Sequence, residues 1–237
     1  MRPPADPAGR RQPLLLAIDT STAQAGLALY DGSLLAELTW PAGRHGSRTV
    51  LVEVDRLLAL AGRGAADLTA VAVALGPGSF SALRVGMSLA KGLAFATGCA
   101  LVGIPTLDVV SYLHRHAGQL VWAVLDAGRG RVVAAPYMVR GSDWEAAGPP
   151  FHGPVGRLVE RIAGPALVGG EVPPAMIDAL RDRPDVVVLT PAARLRRPGA
   201  LAELGWARLL AGAADDPVTL EPLYLHGDGG GQRAVLP

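Results

Sequence analysis

Two short stretches of this chain carry residue types that handle phosphate: Asp19-Thr20-Ser21-Thr22 and Gly76-Pro77-Gly78-Ser79. A carboxylate and hydroxyls at the end of a strand can face a phosphate or a metal ion, and a glycine-rich turn ahead of a helix can offer backbone N–H groups to an anion. The same residues also satisfy the backbone of tight turns. Ligand contact through Asp19, Thr20, Gly76, Gly78 and Ser79 therefore stands beside a purely structural reading.

More specific motifs fail. Ser81 occupies the place of the third glycine of a dinucleotide fingerprint, and no lysine follows the glycines at P-loop spacing. Ser79 does not sit in a Gly-x-Ser-x-Gly elbow. The five histidines, His45, His114, His116, His152 and His226, form no ligand pair on one helix face, so neither a metal site nor metal catalysis is expected. Asp126 and Arg129 flank a tight turn that an aspartate-initiated turn accounts for.

The element that positions the glycine turn spans residues 71–98. The apolar run 71–75 lacks alternation, as a strand buried on both faces does, and Gly76-Pro77-Gly78 ends it. Ser79 is the expected N-cap, its hydroxyl accepting from a first-turn N–H, for a helix at 80–97 that Gly98 closes. On a helical wheel Ser81, Arg84, Ser88 and Lys91 share a narrow polar stripe, and apolar or small residues fill roughly 220°. Phe80, Leu83, Met87, Ala90 and Ala94 form one apolar stripe; Ala82, Val85, Leu89 and Leu93 form another. Two readings are open, that a neighbouring helix of the same domain covers the second stripe or that one stripe meets another protein.

Around this centre, strands are expected at 14–19, 25–30 and 33–40, the last two joined by a two-residue Asp31-Gly32 turn. A helix at 47–60 follows, with Val50, Leu51, Val54, Leu57, Leu58 and Ala61 at helical spacing. After a strand at 100–104 and a helix at 106–116, strands at 120–125 and 132–138 flank a turn. Proline and glycine dominate until a strand at 166–168, a helix at 174–180, a strand at 186–189 and a last helix at 200–211. This order gives a mixed sheet with helices on its faces. The domains read as a disordered extension at 1–13, a first lobe at 14–107, a second at 108–198, a segment at 199–226 returning toward the first, and a flexible tail at 227–237.

With 237 residues, half of them hydrophobic, the chain can bury a substantial core. A formal net charge of +1 provides no broad footprint for nucleic acid, so any RNA role runs through a partner or a local patch. Cys99 is the single cysteine, which excludes an intramolecular disulfide. No apolar run reaches membrane-spanning length, and the run 14–18 is too short for a signal-peptide core, so a cytoplasmic protein away from membranes is expected.

The segments Leu16-Ala17-Ile18-Asp19-Thr20-Ser21-Thr22, Gly76-Pro77-Gly78-Ser79-Phe80-Ser81-Ala82-Leu83-Arg84-Val85-Gly86, Ala90-Lys91-Gly92-Leu93-Ala94 and Glu221-Pro222-Leu223-Tyr224-Leu225 resemble the TsaB family, also called YeaZ. The resemblance implies an α/β fold of the actin-like ATPase (ribonuclease H-like) class, two-lobed, with mixed sheets and a reduced second lobe. It implies a noncatalytic partner of the subunit TsaD, which transfers the threonylcarbamoyl group to adenosine beside the anticodon of tRNA. TsaE, an ATPase, joins that assembly, and TsaC makes the threonylcarbamoyl-adenylate. No cofactor is then expected on this chain alone, ATP and a metal belonging to partner subunits, with tRNA reached only through the complex and a homodimer formed when the chain is alone. The implied partner surface comprises Val50, Leu51, Val54, Leu58, Phe80, Leu83, Arg84, Met87 and Ala90. The alternative is an actin-like ATPase or small-molecule kinase using Asp19 and the 76–79 loop. Against it, Ser21 stands where such enzymes place a glycine for close phosphate approach. At 126–131 the family's customary arginine and glutamate are Gly128 and Arg131, so no ligand role is carried onto that turn, nor onto His45.

Overall fold

The computed structural model describes residues 13–42 and 46–224, the side chains of 46–48 excepted. The expected extension ahead of Pro13, His45 and the tail from 225 onward lie outside those residues. The chain forms two compact units, the first from the residues up to Val109 together with Arg196–Pro222, the second centred on Val110–Leu195.

In the first unit, β1 (Leu15–Asp19), β2 (Gln24–Tyr30) and β3 (Leu34–Pro41) make an antiparallel meander. β4 (Ala70–Gly76) adds in parallel to β1, and β5 (Ala100–Pro105) in parallel to β4, for the order β3-β2-β1-β4-β5. All seven residues of β4 are buried. That is why its sequence shows no alternation: helices α2 (Phe80–Thr97) and α6 (Pro198–Leu210) both pack on it. α1 (Gly46–Leu60) lies on β2 and against α2. The β2–β3 connection is three residues, not the expected two, because Asp31 Oδ1 accepts from the Ser33 backbone N–H and hydroxyl and the register shifts beside Tyr30.

Helix α6 begins where Glu37 reaches across from β3. One Glu37 oxygen pairs with Arg197 and the other accepts from the Gly199 N–H at 3.2 Å, satisfying a donor that a helix start leaves open. The outer edge of β5 is closed by the segment beyond α6. The Asp215 N–H donates to the Leu101 carbonyl (2.8 Å), its carboxylate accepts from the Gly103 N–H (2.7 Å), and Arg208 donates to the Gly103 carbonyl (2.6 Å). An edge paired in this way offers no template for another strand.

A short helix α3 (Thr106–Tyr112) leads into the second unit; it stops well before residue 116, where the sequence pattern places its end, and turns follow. The second sheet has the order β11-β10-β6-β7-β8, formed by β6 (Leu120–Gly128), β7 (Arg131–Arg140), β8 (Asp143–Ala146), β10 (Ala166–Gly170) and β11 (Val186–Val188), while β9 (Phe151–Pro154) pairs with β7. Helices α4 (Val155–Arg161) and α5 (Pro174–Leu180) bury Val155, Leu158, Met176 and Leu180 in a core with Trp122, Val132 and Phe151. β8, β9 and α4 occupy a stretch that reads as proline- and glycine-rich irregular chain.

At the tip of the β6–β7 hairpin, Gly128 pairs with Arg131, and both intervening residues have left-handed backbones, Arg129 at φ 54° and Gly130 at φ 71°. Two consecutive positive φ values define the hairpin turn that favours asparagine in its first position. Arg129→Asn should therefore raise stability, by about 1 kcal/mol. An unchanged or lower urea midpoint for the variant would show that Arg129 bears no strain.

Candidate functional site

The two polar stretches meet at the end of β1, but they turn toward each other. Asp19 is 2% exposed. Its Oδ1 accepts from the Ser21 backbone N–H (2.9 Å) and hydroxyl (2.7 Å), and its Oδ2 accepts from Arg196 Nε at 2.5 Å. Arg196, itself buried, also donates to Thr22 Oγ1 (2.9 Å) and the Gln24 carbonyl (3.0 Å). The guanidinium thus neutralises the one carboxylate that a phosphate-bound cation would need. Thr20 Oγ1 donates to the Ala82 carbonyl (2.7 Å) and accepts from the Gly86 N–H (3.0 Å).

The glycine turn leans on the same loop. The Ser79 N–H donates to the Ser21 carbonyl at 2.7 Å, and a Cβ on Gly78 would lie 2.0 Å from that carbonyl oxygen, so only glycine allows the approach. The Gly76 N–H donates to Thr106 Oγ1 (3.0 Å). Ser79 does precede the helix, yet its hydroxyl makes no capping bond and instead lies 3.4 Å from the Ser81 hydroxyl. Its carbonyl, not its side chain, serves the first turn by accepting from Leu83. Gly98 closes the helix as expected, at φ 69° with its N–H on the Ala94 carbonyl. Of the five residues offered as phosphate contacts, Asp19, Thr20, Gly76 and Gly78 are thus held in internal contacts. Arg196 is the member of this cluster that the sequence does not reveal. It stands 177 residues from Asp19 and looks like its neighbours Arg194 and Arg197.

The surface of α1 and α2 corrects the expected partner residues. Val50, Val54, Leu58, Leu83, Met87 and Ala90 are core residues of the first unit, each at most 5% exposed, and cannot present themselves to a partner. The physical reason is that the wheel stripe they form is the one that packs on the sheet. Leu51, Phe80 and Arg84 are exposed, Leu51 at 55% and Phe80 at 57%. The other stripe, Ala82, Val85, Leu89 and Leu93, is only half-buried, so helix α1 covers it incompletely. Between the helices lies an open groove of about 460 Å³ lined by Leu51, Arg84, Val85, Ser88 and Leu89. Arg84 stacks over the Phe80 ring, 4.7 Å from its centroid. Val52 and Phe95 extend the apolar exposure along the two helices. None of the five residues that line the groove is a carboxylate, a histidine or a cysteine.

Among the described residues no group of three or more histidine, cysteine, aspartate or glutamate side chains is placed to hold a metal. Asp126 behaves as a turn residue, its Oδ1 accepting from the Gly128 N–H (2.8 Å). In the second unit burial holds the His114 imidazole below its usual range, toward the neutral form. The unfolded chain then takes up the proton first, so this contribution to stability is complete above about 6.5 and is lost as pH falls below it. His114→Gln should flatten the acid limb of a stability–pH curve, and an unaltered limb would remove His114 from the account. Among the described residues no helix is long and apolar enough to cross a membrane.

Two mixed α/β units, the first with three antiparallel strands continued by two parallel ones, define the actin-like (ribonuclease H-like) class of fold. The family model described as "TsaD: tRNA N6-adenosine threonylcarbamoyltransferase" matches residues 41–171. The chain is 33% identical over 126 residues to the Escherichia coli protein named tRNA threonylcarbamoyladenosine biosynthesis protein TsaB, covering 52% of this chain and 54% of that one. It spans about half the length of the curated relatives of that name that it matches. An uncharacterized protein of Mycobacterium tuberculosis is 32% identical over 222 residues, covering 90% of this chain and 91% of that one. The solved structure of YeaZ from Pseudomonas aeruginosa shares the fold, with a TM-score of 0.71 at 24% identity over 89% of this chain and all of that one. The chain belongs to the TsaB (YeaZ) family.

Proposed function

We propose that this chain is a noncatalytic accessory subunit in the formation of threonylcarbamoyladenosine in tRNA, and that it acts by docking on a TsaD-type catalytic subunit. The observation that carries this reading is the half-open α1–α2 face, with Leu51, Phe80, Val85 and Leu89 exposed or half-exposed around a groove. The names of its relatives, which include the threonylcarbamoyladenosine biosynthesis protein TsaB, supply the process. The absence of chemistry at the β1 loop supports an accessory role: Asp19 is paired with Arg196 and buried, in contrast to the exposed carboxylate that a nucleotide-bound cation requires. ATP and metal then belong to the partners, a TsaE-type ATPase joins the assembly, tRNA is reached through the complex, and the same face pairs two copies when TsaD is absent.

Reconstitution tests this directly. TsaC, TsaD and TsaE with tRNA, threonine, bicarbonate and ATP should modify tRNA strongly only when this chain is added. Equal modification without it, or failure of the chain to associate with the cognate TsaD, overturns the proposal. The kinase or ATPase alternative predicts ATP turnover by the isolated chain that Asp19→Ala abolishes. With the carboxylate already neutralised by Arg196, no turnover is expected.

A further inference from the structure

One turn of α2 is bridged from outside the helix. The Thr20 hydroxyl stands between the Ala82 carbonyl, to which it donates at 2.7 Å, and the Gly86 N–H, from which it accepts at 3.0 Å. An uninterrupted α-helix pairs these two groups, four residues apart, directly with each other. Thr20 bonds to both groups as well, and so ties this turn of α2, which stays helical from Phe80 to Thr97, to the β1 loop. Gly86 is shaped to the intrusion, since a Cβ at that position would lie 2.4 Å from Thr20 Oγ1.

Thr20 has no freedom to withdraw. Its neighbour Asp19 is pinned by Arg196, and its neighbour Ser21 receives the Ser79 N–H. The side chain is itself buried, 5% exposed, so solvent does not compete for either bond. The bridged turn contains Arg84 and Val85, and the next contains Ser88 and Leu89; these four line the groove with Leu51. The loop that would hold phosphate in a nucleotide enzyme is thus joined, through one hydroxyl, to the turn that shapes the exposed face.

We infer that Thr20 is a positioning residue whose hydroxyl, wedged between Ala82 and Gly86, sets the geometry of the α1–α2 face and through it the affinity for the partner. The inference rests on the docking role proposed above. Removing the hydroxyl leaves the Ala82 carbonyl and the Gly86 N–H to pair with each other, so no buried polar group is left open. The helix survives, and this turn is no longer tied to the β1 loop. The effect falls on shape more than on stability.

The test uses the full chain carrying Thr20→Val, which keeps the side-chain volume, and Thr20→Ser, which keeps the hydroxyl. In the free chain, the valine variant should shift the backbone amide resonances from Ala82 to Leu89 and alter hydrogen exchange at Gly86, with the serine variant close to wild type. With the cognate TsaD-type subunit, valine should weaken binding by about tenfold and serine should restore it. A purely structural threonine would lower the unfolding midpoint and leave the affinity of the folded protein untouched. If the valine variant does not fold, Thr20→Ala replaces it in the same comparison. Unmoved amides overturn the wedge, and moved amides with unchanged affinity overturn its link to the partner. Wild-type chain that never binds the subunit counts against the proposed function and against the affinity link, while the amide signals still decide whether the wedge exists.

Discussion

Arg196→Met should be the most damaging single substitution in the cluster around Asp19, lowering the stability of the first unit by about 3–5 kcal/mol. Methionine keeps the aliphatic stem but ends at about the Nε position, so the loss combines the missing counter-charge and hydrogen bonds with the space the guanidinium filled. Asp19 would remain 2% exposed with only Ser21 donating to it, an ionised carboxylate without its counter-charge. Thr22 Oγ1 and the Gln24 carbonyl would lose a donor as well. The double variant Arg196→Met with Asp19→Asn separates charge from contact. Once the carboxylate is an amide, most of the loss should return, and the two substitutions should be strongly non-additive. Urea unfolding of the four proteins measures this. Additive losses, or an Arg196→Met midpoint equal to wild type, would mean that the buried pair has no coupling energy of its own.

Leu89→Glu and Leu51→Glu should abolish or severely weaken association with the TsaD-type subunit, by about 2 kcal/mol or more each, with little change in the unfolding midpoint. Both side chains line the groove and have solvent on one side, so a glutamate there can stay hydrated in the free chain. It becomes desolvated only when a partner covers it. Leu83→Glu and Met87→Glu give the contrasting result. These positions are 1% and 5% exposed, so the charge would enter the core and the chain would unfold rather than merely lose its partner. Association measured by size exclusion and calorimetry, next to thermal unfolding, distinguishes the two classes. Normal binding by both groove variants would move the interface elsewhere.

The elements with strong periodicity or strong punctuation were legible in the chain alone. The helix bounds expected at 80–97 and 174–180 agree with α2 and α5 to the residue, since Gly98 ends one and a proline opens the other. The unbroken apolar run of β4 marked a strand covered on both faces. Weak local signals failed. β9 is four residues that include glycine and proline, and α4 follows Pro154 with no side-chain cap, so neither announces itself; both depend on Phe151, Val155 and Leu158 entering a shared core. The Ser79 cap is the opposite case, a residue with the right signal whose hydroxyl makes no capping bond.

The stretches Asp19-Thr20-Ser21-Thr22 and Gly76-Pro77-Gly78-Ser79, and the second apolar stripe of α2, were visible in the sequence, because residue type and helical spacing are local properties. They carried the family resemblance and, through it, the fold class, while loop chemistry and a helix surface stood side by side. What these groups do was decided by tertiary structure. Asp19 meets Arg196 across 177 residues, Thr20 enters α2 across 62 and 66, and Val50, Leu83 and Met87 turn out to be core while Leu51, Val85 and Leu89 stay at the surface. Periodicity states that a helix has two apolar stripes. Only the packed neighbours determine which stripe is spent on the core and which remains open, since burial is a property of what lies opposite a side chain and not of the chain that carries it.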